Sequence, residues 1–220
     1  MPEIKIDALG AEPLLHAAVP TIALRLKIIS VTPIESVLLT TQVRIDAPRR
    51  NYAGDEKAAL VELFGTPDRW GTTLHSMLWT HLTTTIPAFE REIVADIHLP
   101  CTFDPNVAVT KYLRGLNSGV IPLSLLFSGS IFYREDGQLQ IAPISWETET
   151  TYRLPIRVWQ EMVDHYYPNS AWLNISRDSY DKINSFRIAA GIPTWEGAIE
   201  KLVDSIDAPI TNGHTEWTAI

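Results

Sequence analysis

At 220 residues the chain is long enough to bury one large core, and 45% hydrophobic with 20% charged residues is the composition of a globular protein, not a disordered one. Twenty-six acidic against 18 basic residues give a formal charge of −8, which argues against a nonspecific grip on nucleic acid or an anionic membrane. The start, MPEIKIDALGAEP, has no basic stretch leading into an apolar one, no apolar run reaches the roughly 18 residues of a membrane helix, and a single Cys101 suits a reducing compartment, so a cytoplasmic location is expected.

Period-two alternation dominates the first two-thirds. From Thr21 to Val31, Ile22, Leu24, Leu26 and Ile28 point one way while Arg25 and Lys27 point the other, the pattern of a half-buried strand. The turn VTPIES, with Pro33, leads to VLLTTQVRI, where Val37, Leu39, Thr41, Val43 and Ile45 share a face; the two segments predict an antiparallel hairpin. The stretch RRNYAGDEKAALVELFGTPDRWGTT, Arg49 to Thr73, reads as a loop and a short crossover helix. Asp55 is its predicted cap, Glu56 favours its positive end, and Ala59, Leu60, Leu63 and Phe64 form its apolar side, with Gly65 and Pro67 ending it.

LWTHLTTTIP and FEREIVADIHL predict two further strands, and NVAVTKYL fits either a short strand or a helical turn. VIPLSLLFSGSIFY is apolar on both faces, as a central strand is, and Asp136-Gly137 turns it into QLQIAPISW. With no βα alternation, six to eight such strands predict an antiparallel sandwich.

The period changes at Leu154. Pro155 suits a helix start, and Ile156, Trp159, Val163 and Tyr166 recur at helical spacing until Pro168. A second helix follows Ser176 and ends at Gly191; Thr194 caps a third with a stripe of Ile199, Leu202, Val203 and Ile206. The expected fold is α+β: an antiparallel β-sandwich-like domain with a crossover helix and two or three C-terminal helices packed on it. One domain is expected over residues 1–207, β-rich to 154 and helical from 155, with 208–220 a flexible tail.

Chemistry is sparse. His98, Cys101 and Asp104 in HLPCTFD have metal-ligand residue types, but Pro100 and Pro105 preclude a fixed helical face, so a buried thiol at a strand end is the reading. Ser128 and Ser130 in FSGS lack the GxSxG order of a nucleophile elbow, and Gly129 there relieves crowding or marks a bulge. No phosphate-loop or dinucleotide motif occurs. Glu147 with Glu149, like Glu90 with Glu92, reads as a solvated strand face. No catalytic residue, metal or cofactor is expected.

Seven tryptophans stand out. Trp146, Trp159, Trp172 and Trp195 adjoin apolar patterns and predict packing between sheet and helices, whereas Trp70 lies in a polar loop and Trp217 in the tail. The crossover helix has no need of Arg49, Arg50, Tyr52, Arg69 or Trp70, whose mixture of guanidinium and aromatic groups suits a protein contact. Arg44, Arg49 and Arg50 near one strand end offer the alternative of a carboxylate or phosphate clamp.

The blocks QVRIDAPRRNY, ELFGTPDRWGTTLHSMLW, LPCTFD, IPLSLLFSGSIFY, TYRLPIRVWQEMVDHYYPNSAW and PTWEGAIEKL together resemble a bacterial family of unknown function whose members are often encoded beside [NiFe]-hydrogenase genes. The resemblance runs from about Pro20 to Val203. It implies an accessory role, with hydrogenase subunits or maturation factors as protein partners, and it supplies no catalytic residues.

Overall fold

The structure is a computed structural model that describes residues 2–101, 104, 107–170 and 173–207. The chain divides into two units, Met1–Trp172 and Leu173–Ile220. The predicted tail, with Trp217, and Trp172 lie outside the described residues.

In the first unit the described strands are β1 (Ile4–Pro13), β2 (Thr21–Ser30), β3 (Ser36–Ile45), β4 (Met77–Ile86), β5 (Glu92–Pro100), β6 (Val120–Glu135), β7 (Gln138–Pro143) and β8 (Glu149–Pro155). They form two antiparallel sheets, one in the order β1-β2-β5 and one in the order β4-β3-β6-β7. The 16-residue β6 is the spine of the second sheet. One of its edges pairs with β3; the other is shared end to end, with β8 on residues 120–126 and β7 on residues 130–135. Between them Gly129, at φ +128°, faces the β3 backbone so closely that a Cβ would stand 2.0 Å from the Leu38 carbonyl oxygen.

The apolar faces of the two sheets meet in one core. Ile22, Leu24, Leu26, Ile28, Ile97 and Leu99 come from the first sheet; Val37, Leu39, Val43, Ile45, Ile121, Leu123, Leu125 and Ile131 come from the second. The expected hairpin of β2 and β3 is therefore corrected: these strands belong to different sheets. An alternating strand fixes which face is apolar, but two consecutive strands satisfy that face equally by pairing edge to edge or by stacking across a core. The connection crosses over, anchored by an Ile34–Phe89 bridge. The Asp136-Gly137 turn forms as expected, both residues at positive φ (51° and 76°), the type I′ geometry that joins β6 to β7.

The crossover from β3 to β4 holds α1 (Gly54–Ala59), α2 (Val61–Phe64) and α3 (Trp70–Thr73). Its cap differs from expectation. Ala53 is the N-cap, its N–H donating to Glu56 Oε2 at 3.1 Å, and Asp55 sits inside the first turn. Gly65 ends α2 at φ +73°, ψ −168°, an extended positive-φ conformation reserved for glycine. Residues 108–114 form α4 (Ala108–Arg114), so the AVTKYL part of NVAVTKYL is helical: Val109, Tyr112 and Leu113, spaced i, i+3, i+4, are buried together, while Asn106 lies outside the described residues.

The first unit ends in α5 (Ile156–Tyr166), whose buried Ile156, Val158, Trp159 and Met162 lie on the side facing β1, β2 and β8. Its Tyr166 hydroxyl meets the Leu14 and Ala17 carbonyls at 2.8 and 2.9 Å and accepts the Ala17 N–H at 3.0 Å, fastening the β1–β2 loop.

The second unit contains α6 (Arg177–Ala189) and α7 (Trp195–Asp207). Ser176 Oγ accepts the Ser179 N–H at 3.2 Å, Gly191 closes α6 at φ +65°, and Thr194 Oγ1 accepts the Gly197 N–H at 3.1 Å. Trp195 stacks 4.9 Å from Tyr180, with the Arg187 guanidinium 5.0 Å from its ring centre. Among the described residues no helix is long and apolar enough to cross a membrane.

Candidate functional site

The arginines of the opening loop divide sharply in their roles. Arg50 is built into the protein: its side chain is 8% exposed and pairs with Glu56, 3% exposed. Its guanidinium also donates to the Val120 carbonyl at 2.8 Å and the Ser118 carbonyl at 2.7 Å. Glu56 in turn accepts the N–H groups of Ala53 (3.1 Å) and Asn117 (3.0 Å). The pair thus ties the crossover to the α4–β6 loop and satisfies backbone groups at four places, which is how two buried charges become tolerable. Arg50 Nε is buried without a partner.

A second knot lies beside it. Asp46, at the end of β3, is buried and accepts from the hydroxyls of Ser76 (2.9 Å) and Ser124, while the exposed Arg49 approaches it at 3.8 Å. Arg49, Arg50 and Arg153 of β8 line a cleft of about 360 Å³, with Glu56, Asn51, Gly119 and Pro122 in its walls. Arg153, 104 residues beyond Arg49 in the chain, is not among the arginines that the sequence groups together, because only the pairing of β3 and β8 with β6 brings it near. Arg44 does not line this cleft: it is half-buried on β3, opposite Ser124 and Leu78 on the outer face of the sheet.

Tyr52 and Trp70 belong to an aromatic cluster. Trp70, 9% exposed, donates its indole N–H to the Gly65 carbonyl at 2.9 Å and meets Tyr52 and Phe64 edge-on at 5.2 and 6.1 Å. Tyr52 donates to the Ala47 carbonyl at 2.7 Å and lies 2.9 Å from the hydroxyl of the buried Tyr112. Burial raises the pKa of both phenols, and for Tyr112 the hydrogen bond to Tyr52 raises it further. Arg69 stands exposed at the start of α3.

Trp146 reverses its expectation. Predicted as packing, it is 86% exposed, at the tip of a 145–148 turn closed by Thr148 N–H to Ser145 carbonyl (3.0 Å). It borders a groove of about 760 Å³ between β1 and the β7–β8 connection. Ile6, Ile131 and Ile144, all buried, contribute its apolar lining; Glu3, Asp7, Glu147 and Glu149 contribute carboxylates. Glu147 and Glu149 are solvated but do not share a strand face, since Glu147 lies in the turn before β8; both line this groove.

Cys101, 5% exposed just beyond β5, is inside the sandwich, whereas His98 faces solvent. Burial pushes the thiol up to about 12. At pH 8 the thiolate fraction is then of order one in ten thousand, against about a quarter for a free cysteine. Native protein is expected to react with a thiol-selective disulfide reagent at least ~100-fold more slowly than urea-unfolded protein; equal rates would place Cys101 at the surface. Thr102 and Phe103 of HLPCTFD, and Pro105 just after it, lie outside the described residues. Among the described residues no three His, Cys, Asp or Glu side chains gather as metal ligands.

These observations define an α+β protein built on a two-sheet antiparallel sandwich, with a guanidinium cleft at one place and an acidic, tryptophan-flanked groove at another. The chain belongs to a family of unknown function, DUF6084, whose model matches residues 1–210. No curated protein matches it. Among solved structures, a selenomethionine-labelled beta-glucosidase from Kluyveromyces marxianus is similar at 12% identity and a TM-score of 0.20, over 70% of this chain. The match spans 15% of that protein's length, and a likeness this slight carries no argument about fold or activity.

Proposed function

We propose that this chain is a non-enzymatic accessory protein that acts by binding another protein, in the assembly or stabilisation of a [NiFe]-hydrogenase-type complex. The observation that carries the binding role is Trp146, an 86% exposed indole at the mouth of a groove lined by buried isoleucines. Large aromatic side chains held out beside an apolar recess anchor protein interfaces. Arg49 and Arg69, both exposed, are further contacts in this reading; Arg50, Tyr52 and Trp70 support the surface that presents them, and Arg44 stands apart on β3. The hydrogenase assignment rests on the family resemblance in the sequence blocks. A tagged chain purified from its native cells is expected to bring down an oxidoreductase subunit, and Trp146→Ala to lose it; purification without any such subunit removes the assignment.

A second reading is favoured by the convergence of Arg49, Arg50 and Arg153 on one cleft: a site for a small carboxylate or phosphate. With Arg50 already paired to Glu56, the anion would be held by Arg49 and Arg153. Millimolar inorganic phosphate is expected to raise the melting temperature of the wild type at constant ionic strength, and not that of Arg49→Ala/Arg153→Ala. Equal shifts in both proteins would eliminate the site.

A further inference from the structure

The groove beside Trp146 has features that specify its occupant more closely. β1 is an edge strand: it pairs with β2 on one side, and among the described residues no strand pairs with its other edge. Further along β1, Tyr152 of β8 reaches the backbone at Ala11, so the sandwich is closed there. The first half of β1, residues 4–7, instead borders the groove. An edge with unpaired N–H and C=O groups is a template for another extended chain.

The charge at this edge is one-sided. Four carboxylates, Glu3, Asp7, Glu147 and Glu149, line the groove against the single Lys5, which is already 3.1 Å from Asp7. Trp146 adds an exposed π face, which attracts cations. We infer that the groove receives an extended, lysine- or arginine-bearing segment of a partner protein, added as a strand alongside the first half of β1. Alternate side chains of such a strand would point to the Ile6, Ile131 and Ile144 lining. Those between would meet the carboxylates and Trp146. A second copy of this chain is a poor occupant, because it brings a formal charge of −8 to an acidic rim. Residues 208–220 contain no lysine or arginine and do not supply the cation.

This inference rests on the protein-binding reading and gives it a partner chemistry. The test uses the full chain with a fluorescein-labelled peptide of alternating valine and lysine, a valine–glutamate peptide, and a valine–lysine peptide with alternate backbone nitrogens methylated. Fluorescence anisotropy is expected to show binding of the valine–lysine peptide alone, at least ~10-fold weaker in 0.5 M than in 0.05 M NaCl. Trp146→Ala and Glu147→Gln/Glu149→Gln are each expected to weaken it by ~10-fold or more without changing the melting temperature. Binding of the methylated peptide equal to the parent would overturn strand addition. Equal binding of the acidic peptide, or binding unaffected by both variants, would overturn the groove. Co-purification of an oxidoreductase subunit that survives Trp146→Ala and Glu147→Gln/Glu149→Gln would leave the accessory role standing while this groove falls. Peptide binding without any such subunit would do the reverse.

Discussion

Gly129→Ala is expected to destabilise the protein by about 3 kcal/mol or more, the combined scale of a strained backbone and an overpacked contact. The Cβ would lie 2.0 Å from the Leu38 carbonyl oxygen and 3.5 Å from the Thr40 nitrogen, both backbone atoms fixed in the β3–β6 ladder. Neither can rotate aside as a side chain would, and φ of +128° is itself denied to alanine. For a chain of this size the melting temperature should fall by roughly 6–12 °C. Gly10→Ala on β1 is the control, since nothing lies within 4 Å of a Cβ there and its φ is not positive. Equal melting temperatures for the two variants would show that β6 does not pass β3 this closely.

Removing one member of the Arg50–Glu56 pair should cost about 3–5 kcal/mol, because the other charge is left buried and uncompensated. Glu56→Ala strands the guanidinium and the N–H groups of Ala53 and Asn117; Arg50→Ala strands the carboxylate and the carbonyls of Ser118 and Val120. The double change Arg50→Met/Glu56→Leu should cost clearly less than the sum of the singles. Urea denaturation provides the test, read as a shift in midpoint at constant slope. Additive losses would mean that the two groups act independently, contrary to the geometry. A loss under about 1 kcal/mol for either single would indicate a solvated pair.

What the sequence made legible follows from how local each feature is. Strand faces, the Asp136-Gly137 turn, the caps of α6 and α7 and the end of α2 all depend on residues within a few positions of one another, and they were readable. Strand partnership is not local. Nothing near residues 21–45 distinguishes pairing from stacking, and Arg153 reaches the cleft through β8 pairing with β6, a relation between distant segments. β1 was missed because it is half-exposed and bulged at Leu9, which interrupts the alternation.

The two tryptophans illustrate the same limit. Trp70 sits among polar neighbours in sequence, yet Tyr52, Phe64 and the Gly65 carbonyl form a pocket for its ring and N–H. Trp146 follows an apolar strand, yet a tight turn carries it outward. Composition around a large ring therefore says less than the backbone path that aims it.

The sharing of β6 by β3, β7 and β8 also orders events as the chain is synthesised. Every strand of the first sheet precedes residue 101, so that sheet can assemble while translation continues. The antiparallel pair of β3 and β4 cannot gain its central neighbour until β6 emerges, and residues 120–126 keep an open edge until β8 follows some twenty residues later. During that interval the nascent polypeptide offers an apolar surface and a free ladder together, the combination most exposed to misassociation on the ribosome and most in need of a chaperone.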